Sequence, residues 1–323
     1  MALTTAGFID GSRIHGETLR RALYASTNGA TGVTRSGDLA VFAYATPAAG
    51  VVIAPGAGII ATRYTDADPG QSYSVTNDEA FHLPVPANDG TSSRRWEVIV
   101  RVTDPQYAGE SIPTDPAGDS YSRFELVSSL PTNRPFLHLA TVVLPANTGV
   151  VQRSYITSQR RLANPRSERY LKAVPITVTD HLDAGPTSWE QWPDQAIWPV
   201  YVPEWATEVR AVCTWQNVAS MPGTNISELS VQLGWDRPDV RTLSSTHMVL
   251  GYSTAQGSAE QRRQTVGVAD TIPVPAGWRG QAITVMSLAR KKEGTVNLIA
   301  DAWASVSLDL QFVEHPLSEG AWN

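Results

Sequence analysis

Apolar and polar residues alternate with a period of two along most of this chain. In "WEVIVRV" (96–102), Trp96, Val98, Val100 and Val102 share one face; in "EVRAVCTW" (208–215), Val209, Ala211, Cys213 and Trp215 do so. "LSVQLGW" (229–235) groups Leu229, Val231, Leu233 and Trp235. "AWASVSLDLQF" (302–312) sets Ala304, Val306, Leu308, Leu310 and Phe312 against Ser305, Ser307, Asp309 and Gln311. Side chains of a strand point alternately to its two faces, so these segments predict strands with one buried and one wet face. Clusters such as "TPAAG", "DADPG", "PANDGTSS", "TDPAGD" and "MPGTN" lie between them and predict turns. Helical spacing occurs in "GETLRRALYAS" (16–26), where Leu19 and Leu23 sit four apart beside Ala22 and Gly29 follows as a stop.

The pattern therefore predicts an all-β protein. The stretch "SQRRLANPRSERYLK" (158–172) is polar and lacks the alternation, which suggests a boundary. The expected organisation is an N-terminal β domain over 1–160 with one short helix, a linker over 161–172, and a C-terminal β-sandwich over 173–323. An internal echo supports a jelly-roll-like plan for the second part. "VYVPEWATEVRAV" (200–212) and "IPVPAGWRGQAITV" (272–285) each run from a strand end through a Val-Pro turn and a tryptophan into a new strand. Trp205 and Trp278 are the candidate structural corners.

Composition narrows the function. The chain has 323 residues, 42% of them hydrophobic and 17% charged, enough for two cores. A net charge of −6, with arginines only in scattered pairs, argues against a nucleic-acid surface. Cys213 is the single cysteine, so neither an internal disulfide nor a cysteine-based metal site is expected, and folding needs no oxidation. The start "MALTTAGFIDGSR" lacks a signal-peptide pattern, and no apolar run has the length of a membrane span. The expectation is synthesis in a cytoplasm without membrane insertion.

Candidate chemistry is sparse. The histidines, at 15, 82, 138, 181, 247 and 315, form no metal-binding spacing, and His138 within "FLHLATVV" reads as a hydrogen-bonded core residue. "GAGII" (56–60) reads as glycine in a tight β turn, since no helix pattern follows it as a phosphate loop requires. Glycosidases need paired carboxylates, and Asp66 with Asp68, Asp115 with Asp119, and Asp180 with Asp183 are available. Each lies in a turn-like stretch where Asp bonds its own backbone; a calcium ion at "DADPG" would lack a full ligand loop. No catalytic residue, cofactor or metal is assigned.

The first half carries an ordered set of motifs: "GDLAVFAYATPAAGVVIAPGAGIIATRY" (37–64), "PGQSYSVTND" (69–78), "RRWEVIVRVTDPQYAG" (94–109), "YSRFELVSSLPTNRPFLHLATVVLPANTGVV" (121–151) and "ITSQRR" (156–161). This order resembles the N-terminal domain of minor tail proteins of long-tailed actinobacteriophages, with Ser158 where that family usually has Asp. The resemblance implies a virion structural protein of the tail or baseplate, made in the host cytoplasm. It also implies assembly as a homotrimer with other tail proteins, and a C-terminal domain that contacts them or host cell-wall polysaccharide. In the second half, Pro203, Glu204, Trp205, Ala206 and Thr207 match a corner familiar from that family. The alternatives are a cell-wall glycan hydrolase, testable at Asp180, Asp183 and Asp194, and a stand-alone carbohydrate-binding module.

"WEQWPDQAIWPVYVPEW" (189–205) concentrates four tryptophans. Trp198 shares its face with Val200 and Val202 and is expected in the core, on an edge-type strand containing Pro199. Trp189 and Trp192 lie in a polar stretch without strand period, where one helical turn would set them side by side. They are the candidate glycan or subunit contacts.

Overall fold

The computed structural model describes residues 15–107, 109–112, 115, 120–183, 185–221, 227–236, 241–252, 262–293 and 297–317. The chain divides into two compact units, one of residues 1–165 with 315–323, the other of residues 166–314.

The first unit holds α1 (Gly16–Ser26), β1 (Gly32–Val33), β2 (Val41–Ala43), β3 (Gly50–Ile53), β4 (Gly56–Ala61), β5 (Ser72–Asn77), β6 (Phe81–Pro84), β7 (Arg94–Val102), β8 (Ser122–Val127), β9 (Phe136–Leu144) and β10 (Ile156–Ser158). Its antiparallel sheets have the orders β1-β4-β5, β2-β3-β6 and β10-β9-β7-β8. Their common core includes Val51, Ile53, Ile60, Val98, Val100, Leu139 and Val142. In β7 the alternation slips: a bulge between Val98 and Ile99 turns both inward. The "GAGII" stretch lies within β4 itself, and the turn sits before it at Ala54 and Pro55. Helix α1 buries no residue. Polar contacts hold it, Arg20 reaching Gln71 at 2.6 Å and Asp104 at 3.3 Å, and Arg21 reaching Asp68 at 2.8 Å. Gly29 ends it at φ +70°, where a Cβ would lie 2.5 Å from the Tyr24 ring.

The second unit holds β11 (Ser167–Pro175), β12 (Asp180–His181), β13 (Glu190–Gln191), β14 (Ile197–Tyr201), β15 (Glu208–Met221), β16 (Ser227–Asp236), β17 (Arg241–Tyr252), β18 (Arg262–Pro273), β19 (Ala282–Glu293), β20 (Asn297–Ala300) and β21 (Ser305–Val313). The antiparallel pairings nest: β16 with β17, β15 with β18, β14 with β19, β11 with β21. Eight strands thus form two four-stranded sheets, β11-β21-β15-β18 and β14-β19-β16-β17, which is jelly-roll connectivity. Short β20 and β12 extend the first sheet, and β13 extends the second. Between the sheets lie Val209, Ala211, Cys213 and Trp215 of β15, Val231, Leu233 and Trp235 of β16, and Val306, Leu308, Leu310 and Phe312 of β21. Full burial pushes the Cys213 thiol well above its ordinary pKa, which removes it from thiolate chemistry.

Two expected boundaries need correction. The linker expected over 161–172 does not exist as such: β11 starts at Ser167 and pairs with β21 along nine residues. Its alternation is hidden because it is an edge strand with most side chains in solvent, and charged side chains suit such an edge. Nor does the C-terminal domain run to 323. Arg166 and Glu314 clasp the two ends of the unit through paired hydrogen bonds of 2.7 and 2.8 Å, and the residues beyond Glu314 belong to the first unit.

In the first unit Arg160 is 6% exposed and donates to the carbonyls of Ser36 (3.0 Å), Asp38 (2.7 Å) and Leu317. Desolvation lowers its pKa to about 10, partly offset by the charge of Asp38. It stays charged at neutral pH. Arg160→Met would strand three carbonyls and is expected to lower the stability of this unit by about 2–4 kcal/mol. Calorimetry should show its transition shifted and that of the second unit unchanged.

Candidate functional site

The tryptophan-rich stretch does not form one face. The helical turn expected to bring Trp189 and Trp192 together is absent. Instead Glu190 and Gln191 form β13 against Ala289 and Leu288 of β19. Three residues apart in extended chain means opposite sides, so the two rings part. Trp192 is 1% exposed, inside the sandwich core, and its assignment as a surface contact is therefore corrected. Its backbone is fixed on both sides: its N–H donates to the Ser287 carbonyl at 3.0 Å, and its carbonyl accepts from Ser287 Oγ at 2.7 Å and Trp215 Nε1 at 3.3 Å. Trp189 is half-buried, with the Arg290 guanidinium 4.5 Å from its ring centre.

Trp198 lies in the core at 3% exposure. Trp278 is buried and stacks on Trp235 with ring centres 5.8 Å apart. Trp205 is half-buried against the core, with the Arg166 guanidinium 5.4 Å from its ring. The two echoed corners meet each other. Val202 bonds Gly280 and Gln281 through its backbone, at 2.8 and 2.9 Å, and the Val274 N–H donates to the Thr207 carbonyl at 2.9 Å. Gly280 turns at φ +69°, leaving room for the Glu204 side chain, whose Cγ a Cβ there would approach to 3.1 Å.

The loop carboxylates serve the backbone. Asp180 accepts from the Asp194 N–H at 2.7 Å and Glu190 from the Asp183 N–H at 2.6 Å. Burial raises the Asp180 pKa, and the charges of Asp194, Glu190 and Asp183 add to this, against the pull of the Asp194 N–H. In the first unit, Asp68 is spent on Arg21, and Asp119 lies outside the described residues. His138 Nε2 lies 2.9 Å from Glu97 Oε2, which also accepts from Thr141 at 2.7 Å. Burial opposes the charge of Glu97, but the Thr141 and Arg95 hydrogen bonds outweigh it and hold the carboxyl below its usual range. Among the described residues, no group of three or more His, Cys, Asp or Glu is placed to hold a metal ion.

A different ring stands out. Trp303, in the turn between β20 and β21, is 76% exposed. Its backbone is nonetheless held at several points. The Trp303 N–H donates to Asp301 Oδ1 at 3.1 Å, the Trp303 carbonyl accepts from Asn217 Nδ2 at 2.8 Å, and the Ala304 N–H donates to the Asp301 carbonyl at 2.8 Å. Arg263 locks this arrangement. It grips both carboxylate oxygens of Asp301, at 3.0 and 2.6 Å, and donates to the Asn217 carbonyl at 3.0 Å. Asn217 can serve because it sits at φ 55° in the bulge of β15, with its neighbours Trp215 and Val218 both turned into the core. The Arg263 hydrogen bonds hold the Asp301 carboxyl below its ordinary range, so the lock persists at neutral and mildly acid pH. Alongside, the Ile176 N–H donates to the Ala304 carbonyl at 3.1 Å, and Val178 in the neighbouring loop is 67% exposed. Sequence reading missed Trp303 because it adjoins a strongly alternating strand; the available local signal was the Asp two positions before the ring in "DAW".

No family model and no curated protein matches the chain. Structural likenesses exist to an infectious bursal disease virus particle (Gx strain; 12% identity, 90% of this chain and 76% of that one, TM-score 0.25). Another is to promiscuous carbohydrate-binding modules of the β-sandwich superfamily (9% identity, 88% and 96%, TM-score 0.14). A third is to an isomalto-dextranase of Arthrobacter globiformis complexed with panose (11% identity, 86% and 39%, TM-score 0.20). At such TM-scores they carry no argument about the function of this chain.

Two outcomes follow from the geometry. Trp192→Ala should destabilise the second unit by about 3–5 kcal/mol in urea unfolding, the cost of a cavity the size of an indole, whereas Trp189→Ala should cost far less. Asp180→Asn retains an acceptor for the Asp194 N–H and removes a charge whose pKa is raised by folding. A raised carboxyl favours the fold below its unfolded pKa and loses that contribution as pH rises through the folded value. The variant should therefore be the more stable protein at neutral pH, and its advantage should vanish under acid conditions where Asp180 is protonated.

Proposed function

We propose that this chain is a structural protein of a phage virion, placed in the tail or baseplate. In this reading it assembles as a homotrimer, its first unit joins neighbouring tail proteins, and its second unit meets the host surface. Its role is architectural and adhesive, without turnover. The observation that carries the reading is the coincidence of motif order with a folding unit. The five motif segments between 37 and 161 supply β2 to β5 and β7 to β10, and the last of them contains Arg160, which ties that unit together. A sequence resemblance that fills one compact unit is what an attachment module joined to a separate second module would produce.

Support for adhesion comes from the second unit. A jelly roll closes its core with nested strand pairs and leaves loop tips to carry contacts on a rigid frame, and Trp303 is displayed from one of these. Light scattering of the purified chain at micromolar concentration should give the mass of a trimer. Gold-labelled antibodies against the chain should mark the tail tips of particles produced with its gene. A monomer that is missing from purified particles would overturn the proposal.

A further inference from the structure

A ring three-quarters in water is a standing cost. An indole buries about 150–250 Å² when it finds a partner surface, and here that area is left open. The backbone that carries it has been made rigid by Asp301, Asn217 and Arg263 rather than left as a loose turn. Rigidity before binding reduces the entropy lost on binding, so this is the arrangement of a contact ring and not of an incidental surface residue.

The surroundings decide what it would contact. A stable protein interface buries about 800 Å² on each side around an apolar centre. The residues that hold its turn are Asn217, Arg263 and Asp301, with Gln216 and Ser305 bonded to each other beside them in sequence, all polar or charged. Val178, two residues beyond Ile176, whose N–H bonds the Ala304 carbonyl, is an exposed apolar side chain on the adjoining segment. One flat ring inside a polar frame is too small and too wet for the centre of a protein interface. It matches a pyranose. The C–H face of a sugar ring lies against the negative π face of an indole, and amide, guanidinium, carboxylate and hydroxyl groups around it hydrogen-bond the sugar hydroxyls.

We propose that Trp303 is a sugar-stacking platform and that the β20–β21 turn, with its Asn217–Arg263–Asp301 frame, is a binding site for pyranose units of a cell-wall polysaccharide. Asp301 and Arg263 are positioning residues that fix the height and tilt of the ring. This deepens the host-surface part of the reading above and rests on it only for the source of the glycan.

The test uses the full-length protein with two probes, insoluble host-wall polysaccharide in a sedimentation assay and a panel of soluble pyranose oligosaccharides in tryptophan-fluorescence titration. Trp303→Ala should weaken binding by about 30-fold, the loss typical of a dominant contact ring, and Trp303→Phe should recover part of it. Asp301→Asn should weaken binding less, and Trp189→Ala should leave it unchanged. Melting curves of Trp303→Ala and Trp303→Phe should overlay that of the native chain, since the ring is exposed. Binding that survives in Trp303→Ala, or no binding by the native chain to either probe, overturns the site. So does a Trp303→Ala protein that changes its oligomeric mass instead, because the ring would then join copies of the chain. Absence from virions together with Trp303-dependent sugar binding would sink the tail reading and leave the platform standing.

Discussion

The second unit depends on filling the space between two sheets. Facing sheets lie about 10 Å apart, and the gap must be closed by side chains large enough to meet in the middle. Here tryptophans do much of this: Trp192, Trp198, Trp215, Trp235 and Trp278 all belong to one core. The nested pairings follow from that constraint. Each strand added to the roll brings an inward row, β15 with Val209 to Trp215 and β21 with Val306 to Phe312, and the hairpins that supply these rows cannot shift by one residue without turning them into water. Indoles bring a polar atom with them, and the chain accommodates the one on Trp215 by aiming it at the Trp192 carbonyl, which also receives the Ser287 hydroxyl. A wide ring and a fixed backbone are thus one feature, and it sets the register of β13 against β19.

The first unit solves a different problem. Its three small sheets share an apolar core, but long connections surround them, and these are held by buried polar residues. Asn88 donates to three carbonyls, of Ser92, Leu144 and Pro145, at 2.9, 3.2 and 2.8 Å. Arg160 gathers three more. Glu97 joins β7 to β9 through Thr141 and His138. Buried polar groups are tolerated only when satisfied, so each of these residues also specifies which loop lies where.

Against that background Trp303 is an exception with a structural basis. The second unit buries Trp192, Trp198, Trp215, Trp235 and Trp278 in its core, yet this ring is displayed and its turn is fastened from two neighbouring strands, β15 and β18. The bulge at Asn217 makes the fastening possible, because it re-aims one residue of β15 outward without disturbing the core residues on either side.

Much of the fold was legible in the sequence. The helix over 16–26, the strands around 96–102, 208–215, 229–235 and 302–312, and the Val-Pro corners all follow from side-chain periodicity and turn chemistry, which are local properties. What the sequence by itself determined was therefore an all-β chain of two parts, with the inward rows of its central strands named. Only the tertiary structure decided the rest. Edge strand β11 hides its period because solvent accepts either face. Trp192 turns inward because β13 pairs with β19, a partner nearly a hundred residues away. The tail rejoins the first unit through Arg160 and Leu317. Trp303 is exposed because Asn217 and Arg263, distant in sequence, hold its turn. Period and propensity act over a few residues; which ring is covered and which is displayed depends on neighbours that only folding brings together.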